Sequence, residues 1–173
     1  MKVFVTGATG FIGTHLARRM ATTGHELVCL VRPTSTVDAL EALGIPQVQG
    51  DVTDKGSLLE GMRGCDAVIN LANQYSFWES DPGVYPRINI LGTRHVMETA
   101  LENEVSKVLH ISTALIYGNP PLVPFTEESA PGPVRFSEYA ETMFQGDRIA
   151  WQLHAEKNLP LVILYPSGVL GPG

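Results

Sequence analysis

Residues Lys2 to Gly13 read K-V-F-V-T-G-A-T-G-F-I-G, and the reading of this stretch decides the fold. Val3, Phe4 and Val5 are β-branched or aromatic with no polar break, the pattern of a strand buried on both faces. The run stops at Gly7, and Phe11, Ile12, Leu16 and Met20 then recur at helical spacing. A strand that turns at glycines straight into a helix aims unpaired backbone N–H groups and the positive end of the helix dipole at the turn. Such a turn favours a phosphate. Gly7 permits the tight turn, Gly10 lets a pyrophosphate approach the backbone, and Gly13 lets helix and strand pack closely. A glycine triplet alone would fit any glycine-rich connection. Placed after a buried strand and before an amphipathic helix, it points to a dinucleotide.

The rest of the composition removes other classes. The chain has 173 residues, a net charge of −6 and a pI near 5.3, which gives no electrostatic case for nucleic acid. Basic residues are scattered, without a run that would hold anionic lipid, and no apolar stretch approaches the ~20 residues that span a bilayer. Met1 and Lys2 lead directly into the first strand, so no signal peptide is expected and a cytoplasmic location is. Cys29 and Cys65 read as buried free thiols in a reducing compartment. The histidines (His15, His25, His95, His110, His154) show no metal-ligand spacing, so no metal site is expected.

Strand and helix signals alternate from end to end, which predicts an α/β fold, a doubly wound parallel sheet with helices on both faces in three layers. Strands are expected near 2–6, 26–31, 46–50, 66–70, 106–111 and 161–165. Helices are expected near 11–23, 36–43, 54–62, 84–103 and 138–157. Gly24 stands where a left-handed helix cap is favoured. The longest irregular stretch, Gly118 to Ser137, carries Pro120, Pro121, Pro124, Pro131 and Pro133. A loop of that length reads as a lid, and it leaves the carboxyl end of the fifth strand, where open α/β sheets bind ligands.

Several positions carry chemistry on that frame. An acidic residue ~20 positions beyond the glycines bonds the ribose 2′-hydroxyl in NAD-binding sheets. Here the residue is Arg32, followed by Thr34, Ser35 and Thr36. A guanidinium suits a 2′-phosphate, so NADP(H) is favoured over NAD(H), with a solvated surface arginine as the alternative. In Gly50-Asp51-Val52-Thr53-Asp54, one of the aspartates or Thr53 is expected to cap the next helix. Small Ala72 ends the fourth strand. The aromatic residues Tyr75, Phe77 and Trp78 follow, as a ligand wall or as local packing. Asn89 and Gly92 are poor helix-interior residues, so Asn89 is expected to have a specific role. Ile88, Leu91 and Val96 form an apolar stripe on the same helix.

The glycine spacing here is G-x-x-G-x-x-G, and G-A-T-G-F-I-G resembles the signature of the short-chain dehydrogenase/reductase superfamily, in its extended branch of epimerases, dehydratases and reductases. Further blocks carry the resemblance: G-D-V-T-D at 50–54, D-A-V-I-N-L-A at 66–72, N-I-L-G-T at 89–93, I-S-T-A-L-I-Y-G at 111–118 and P-S-G-V-L-G-P at 166–172. The stretches G-A-T-G-F-I-G, V-R-P-T-S and F-W-E-S-D-P lean toward its flavonol-reductase-like and hopanoid-associated epimerase-like members. The resemblance implies a Rossmann-type sheet of order 3-2-1-4-5-6, with residues 1–173 as the NAD(P)-binding domain and the family's C-terminal substrate domain absent. It implies cofactor contacts from Gly7, Thr9, Gly10, Phe11, Ile12, Gly13, Arg32, Asp51, Val52, Leu71, Ala72 and Asn73. At the other end Ser112, Tyr139, Pro166, Ser167 and Val169 would flank the nicotinamide side. Thr113 takes the place of the family's carbonyl-polarising hydroxyl, Tyr139 that of its acid/base, and Asn89 that of a supporting asparagine.

Two positions depart from the family. Tyr165 replaces an arginine, and Met143 stands where Y-x-x-x-K has its lysine. That lysine holds the nicotinamide ribose and lowers the tyrosine pKa; methionine supplies neither charge nor hydrogen bond. Arg148 lies over two helical turns from Tyr139, too far to replace it. The expected activity is NADP(H)-dependent reduction, epimerisation or dehydration of a small carbonyl, alcohol or nucleotide-sugar substrate. The alternative is a dinucleotide-binding sensor or scaffold. The resemblance further implies a homodimer through the helices near 84–103 and 138–157.

Overall fold

A computed structural model of the chain describes residues 1–172. The first strand, β1 (Lys2–Thr6), is buried from Val3 onward, with its side chains divided between the two sides of a sheet. Val3 and Val5 join Leu27, Cys29, Val31, Ala67 and Ile69 on one face, whereas Phe4 joins Val28, Leu30, Val68 and Val108 on the other. That period of two across an unbroken apolar run is what a strand covered on both faces requires. The remaining strands are β2 (Glu26–Val31), β3 (Gln47–Gln49), β4 (Ala67–Asn70), β5 (Lys107–Ile111) and β6 (Leu161–Leu164). Among the described residues they form one sheet of order β3-β2-β1-β4-β5-β6, and every pairing is parallel. The doubly wound expectation and its strand order are both met.

The helices cover the two faces unequally. On the Phe4 side lie α3 (Lys55–Met62), α4 (Thr93–Glu102) and α5 (Glu138–Lys157), contributing Leu58, Met62, Val96, Met97, Ala150 and Leu153 to the core. On the Val3 side lie α1 (Phe11–Met20) and the short α2 (Asp38–Ala42), through Ala17 and Leu40. These two reach the β1–β3 half. On the same side at the other edge, Val162 and Leu164 of β6 are 44% and 48% exposed.

Helix ends follow local chemistry. Asp54 caps α3 by accepting from Gly56 N at 3.0 Å, and Ser137 caps α5 by accepting from Ala140 N. The first helix stops at Met20 rather than near 23, because the Thr22 and Thr23 hydroxyls donate to the carbonyls of Arg19 and Met20. The helix expected over 84–103 divides in two. Pro86–Gly92 is a wide π-type turn, and α4 continues from Thr93. The backbone packs tightly at this widened turn: Gly92 lies against Val52, and Gly146 of α5 lies against the Asn89 carbonyl. Of the apolar stripe, Val96 is in the core and Ile88 packs against it, while Leu91 stays exposed.

The contact at Gly146 locks α5 to the π turn. A methyl group there would overlap the Asn89 carbonyl oxygen, a backbone atom that cannot step aside. Gly146→Ala is expected to cost about 1–3 kcal/mol of stability. Gly168→Ala, whose methyl would meet nothing within 4 Å, is expected to stay within about 0.5 kcal/mol. Denaturant unfolding of the two variants side by side checks the difference.

Candidate functional site

The carboxyl ends of β1, β2, β4 and β5 open into two cavities that share Gly7, Gly10, Leu71 and Asn73. The smaller, about 260 Å³, runs from the glycine turn past Thr9 and Ala72 to Arg32, Ser35, Asp51 and Val52. The larger, about 870 Å³, runs the other way, past Phe11, Ile12 and Gly13 to Ser112, Thr113, Tyr139, Pro166, Ser167 and Val169. One cleft thus brings together all the residues assigned to binding from sequence, with the glycine turn at its waist. Of the candidate catalytic positions, Asn89 and Met143 line neither cavity, nor do Thr34, Thr36, Phe77 and Trp78.

The waist is shaped by missing side chains. Gly7 has φ +71°, and a Cβ there would sit 2.7 Å from the Leu71 carbonyl carbon. A Cβ on Gly13 would overlap the Gly7 carbonyl oxygen. No side chain caps α1, whose cap residue is the extended Gly10, and no acidic residue occupies its first turn. The first-turn amides therefore face the cleft with the positive end of the dipole behind them, a seat fitted to a pyrophosphate.

At the smaller end, Arg32 is exposed and forms no ion pair among the described residues. The turn that follows it is closed by Ser35 N donating to the Arg32 carbonyl. Asp51 accepts from the Thr53 amide and hydroxyl through one carboxylate oxygen, Oδ1. Capping of α3 falls to Asp54, which leaves Asp51 on the cavity wall.

At the larger end, Thr113 closes β5 and its Oγ1 accepts from Leu115 N at 3.2 Å, which leaves its proton for another partner. Tyr139, in the first turn of α5, is buried, and its ring meets Tyr75 edge-on at 5.1 Å. Burial pushes the Tyr139 phenol up to about 12; a hydrogen bond with Thr113 pulls the other way, and the neighbouring Tyr75 and Asp147 add to the rise. No cation acts on it. Met143, one turn along α5, is buried with Tyr85, Ile116, Tyr117 and Tyr139 in a small aromatic cluster behind the cleft.

Asn89 works on the cleft from behind. Its Oδ1 accepts from Gln74 N at 2.7 Å, and its Nδ2 donates to Thr142 Oγ1 at 3.0 Å. It thereby ties the loop after β4 to α5. Of the three aromatics on that loop, Tyr75 lines the larger cavity, Phe77 packs on Tyr75 at 5.7 Å, and Trp78 is exposed. Sequence reasoning missed Phe125 and Phe136 of the proline-rich loop, which also line it. The loop is held down by Tyr117, which stacks on Phe125 at 4.6 Å and donates to the Glu127 carbonyl. The buried carboxylate Asp147 was missed as well. Its signal was present: it follows Tyr139 and Met143 at successive four-residue steps on the buried face of α5. Both cysteines are free and buried, and burial raises the Cys29 thiol to about 12. Among the described residues no group of histidine, cysteine and carboxylate side chains is placed to hold a metal, and no helix is long and apolar enough to cross a membrane.

Fold and cleft together define a Rossmann-type nucleotide-binding domain. The sequence pattern of the NAD dependent epimerase/dehydratase family matches residues 3–173, and the chain belongs to that family. A putative dihydroflavonol 4-reductase of Synechocystis is 32% identical over 98% of this chain and 49% of its own length. A dTDP-glucose 4,6-dehydratase of Streptomyces venezuelae, solved with NAD bound, superposes with a TM-score of 0.84 at 28% identity, over 94% of this chain and 54% of the other. A UDP-glucuronic acid 4-epimerase of Bacillus cereus, solved in complex with NAD, gives 0.83 at 29% identity, over 99% of this chain and 58% of the other. The chain spans about half the length of the curated relatives it matches.

The perturbed phenol sets an alkaline limit on the fold. A free tyrosine titrates near ~10, so between about pH 10 and 12 folded Tyr139 keeps a proton that the unfolded chain has released. Its contribution to stability is complete below that window and is lost as pH rises through it. Tyr117 and Tyr165 are raised by burial too and act in the same direction. Tyr139→Phe is expected to remove one late phenol step from the absorbance titration and to reduce the fall in unfolding free energy across the window.

Proposed function

We propose that this chain forms the dinucleotide-binding part of an NADP(H)-dependent oxidoreductase, epimerase or dehydratase acting on a carbonyl, alcohol or nucleotide-sugar substrate. The observation that carries the reading is the single cleft, with an unpaired arginine and a serine at one end, an uncapped glycine turn at its waist, and a paired threonine and tyrosine at the other. The glycine turn and the first-turn amides of α1 would hold the pyrophosphate. Arg32 and Ser35 would hold a 2′-phosphate through charge-assisted bonds, and Asp51 would accept from the adenine amino group. Ala72 gives a close, flat wall, while Pro166, Ser167 and Val169 flank the far end.

When bound, the nicotinamide supplies hydride transfer. Thr113 and Tyr139, hydrogen-bonded to each other, would both turn to the substrate oxygen, Thr113 as donor and Tyr139 as donor and proton source. Asn89 fixes the wall through Gln74 and Thr142. Tyr75, Phe125 and Phe136 give the substrate end an apolar lining. With a phenol near 12 and no cation beside it, Tyr139 gives up a proton reluctantly. That one feature favours the second reading, a dinucleotide-binding sensor or scaffold with little turnover.

Cofactor choice is tested at Arg32. A charge-assisted hydrogen bond contributes ~1.5–3 kcal/mol, so Arg32→Ala is expected to weaken NADPH binding about tenfold or more and leave NADH nearly unchanged. Calorimetric titration with both cofactors reads this directly; equal loss for the two would reduce the arginine to a surface charge.

Turnover is tested at Met143. Met143→Lys places an ammonium one turn from the phenol and one turn from Asp147, which supplies it with a counter-charge. The variant is expected to bring the Tyr139 phenol below 12, to tighten NADP(H) binding and to raise carbonyl reduction at least about tenfold. Nicotinamide absorbance with a panel of carbonyl substrates, followed against pH for both proteins, separates the readings. A folded variant with a lowered phenol and no gain in rate would favour the scaffold.

A further inference from the structure

Behind the cleft, five polar side chains cross the sheet in contact with one another. All are buried: Thr6, Asn70, His110, Ser112 and Asp147. Ala72 N donates to Thr6 Oγ1 at 3.3 Å, and Thr6 Oγ1 donates to Asn70 Oδ1. Asn70 Nδ2 lies 3.0 Å from His110 Nδ1, and His110 Nε2 lies 3.2 Å from Asp147 Oδ1. Off the straight hydrogen-bond line, that last nitrogen and oxygen have no other partner among the described residues. Ser112 Oγ donates to the other carboxylate oxygen, Oδ2, at 2.7 Å.

Counting protons gives the chain a direction. The Thr6 hydroxyl accepts the Ala72 amide, so its own proton goes to Asn70. The Asn70 amide then donates to Nδ1, which leaves the histidine proton on Nε2, facing the carboxylate. Asp147 thus has the histidine nitrogen beside one oxygen, 3.2 Å away and off the hydrogen-bond line, and takes the serine hydroxyl on the other. It is buried, and its one side-chain hydrogen bond among the described residues is the one that holds the Ser112 hydroxyl.

We propose that Asp147, seated beside His110, is a positioning residue that takes the Ser112 proton and makes Ser112 an obligate hydrogen-bond acceptor on the wall of the larger cavity. A hydroxyl has one proton, and this one points away from the cleft. The lone pairs that remain face a ligand group that must donate. Thr113, the next residue, is the complement: its oxygen accepts from the backbone, so it can turn its proton from Tyr139 to a ligand. The end of β5 therefore presents an acceptor and a donor side by side, and it selects a ligand carrying an N–H or O–H next to a carbonyl oxygen. Two sources have that chemistry, the carboxamide of a bound nicotinamide and a hydroxyl beside the substrate carbonyl. The inference rests on the cleft being a dinucleotide site.

The experiment uses Ser112→Ala, which keeps the buried His110–Asp147 pair, and Asp147→Asn, which keeps the shape and replaces one acceptor by a donor. The dinucleotide arm compares NADP⁺ with its nicotinic acid analogue, in which the donating amide is a carboxylate. The substrate arm compares reduction of carbonyl compounds with and without an adjacent hydroxyl. The wild type is expected to prefer the donor-bearing partner about tenfold in one arm, the size of one such bond. Both variants are expected to erase that preference. Loss in the first arm assigns the donor to the carboxamide, and loss in the second to the substrate. A preference untouched by both variants overturns the proposal. The ¹⁵N signals of the His110 ring, read without ligand, keep the clamp separate from the dinucleotide reading. Ring signals that change in Asp147→Asn support the clamp. Unchanged ring signals overturn it. Failure of every dinucleotide to bind removes only the cofactor reading.

Discussion

The structure depends on a close approach between two backbones. At Gly7 the chain leaves β1 and turns beneath the end of β4, so near the Leu71 carbonyl carbon that no side chain fits between them. Gly13 closes the other side of the turn against the Gly7 carbonyl. This double contact sets the distance of α1 from the sheet, aims its amides and opens the waist of the cleft. The two cavities meet there because the turn occupies so little space. Most other site residues follow strands of the same sheet or sit on helices packed against it.

Opposing demands meet at the other end of the cleft. Tyr139 and Thr113 are arranged to handle a proton, yet the surroundings of Tyr139 favour its neutral form. Three phenols lie around one buried carboxylate, and the charge on Asp147 adds to the rise at Tyr117, Tyr139 and Tyr165 alike. Met143 fills with a thioether the place where a cation would relieve them. The aromatic cluster gains packing from that exchange. The phenol loses the one kind of neighbour that would let it ionise.

What was legible in the sequence follows the range of the interactions involved. The strands and the glycine turn could be read because a strand's apolar period and the glycines that end it are local properties, while the strand order and most of the cleft residues came with the family resemblance. Ala72 was read from its place at a strand end, whereas Thr113 and Ser112 came from the resemblance of residues 111–118 to the family's block. The π turn at 86–92 was not legible, since Asn89 and Gly92 look like ordinary helix weakeners until Val52 and α5 press on them. The choice of Asp54 over Asp51 as cap rests on one dihedral geometry that either residue type accepts. The buried polar chain joins residues up to 66 positions apart in its pairwise steps. Its members read singly as a threonine, an asparagine and a histidine at the ends of apolar strands. Phe125 and Phe136 were hidden for a different reason: a proline-rich loop carries no period that says which side chains turn inward.

The uneven covering of the sheet has a thermodynamic side. Val162 and Leu164 leave an apolar strip in water at the edge of a parallel sheet, an arrangement more often covered on both faces. Any chain segment or second molecule that seats there binds the folded state and not the unfolded one. Folding and association then become a single linked equilibrium. Measured stability would rise with the concentration of whatever occupies the strip. For such a protein a melting temperature describes a mixture at a stated composition rather than a property of the chain.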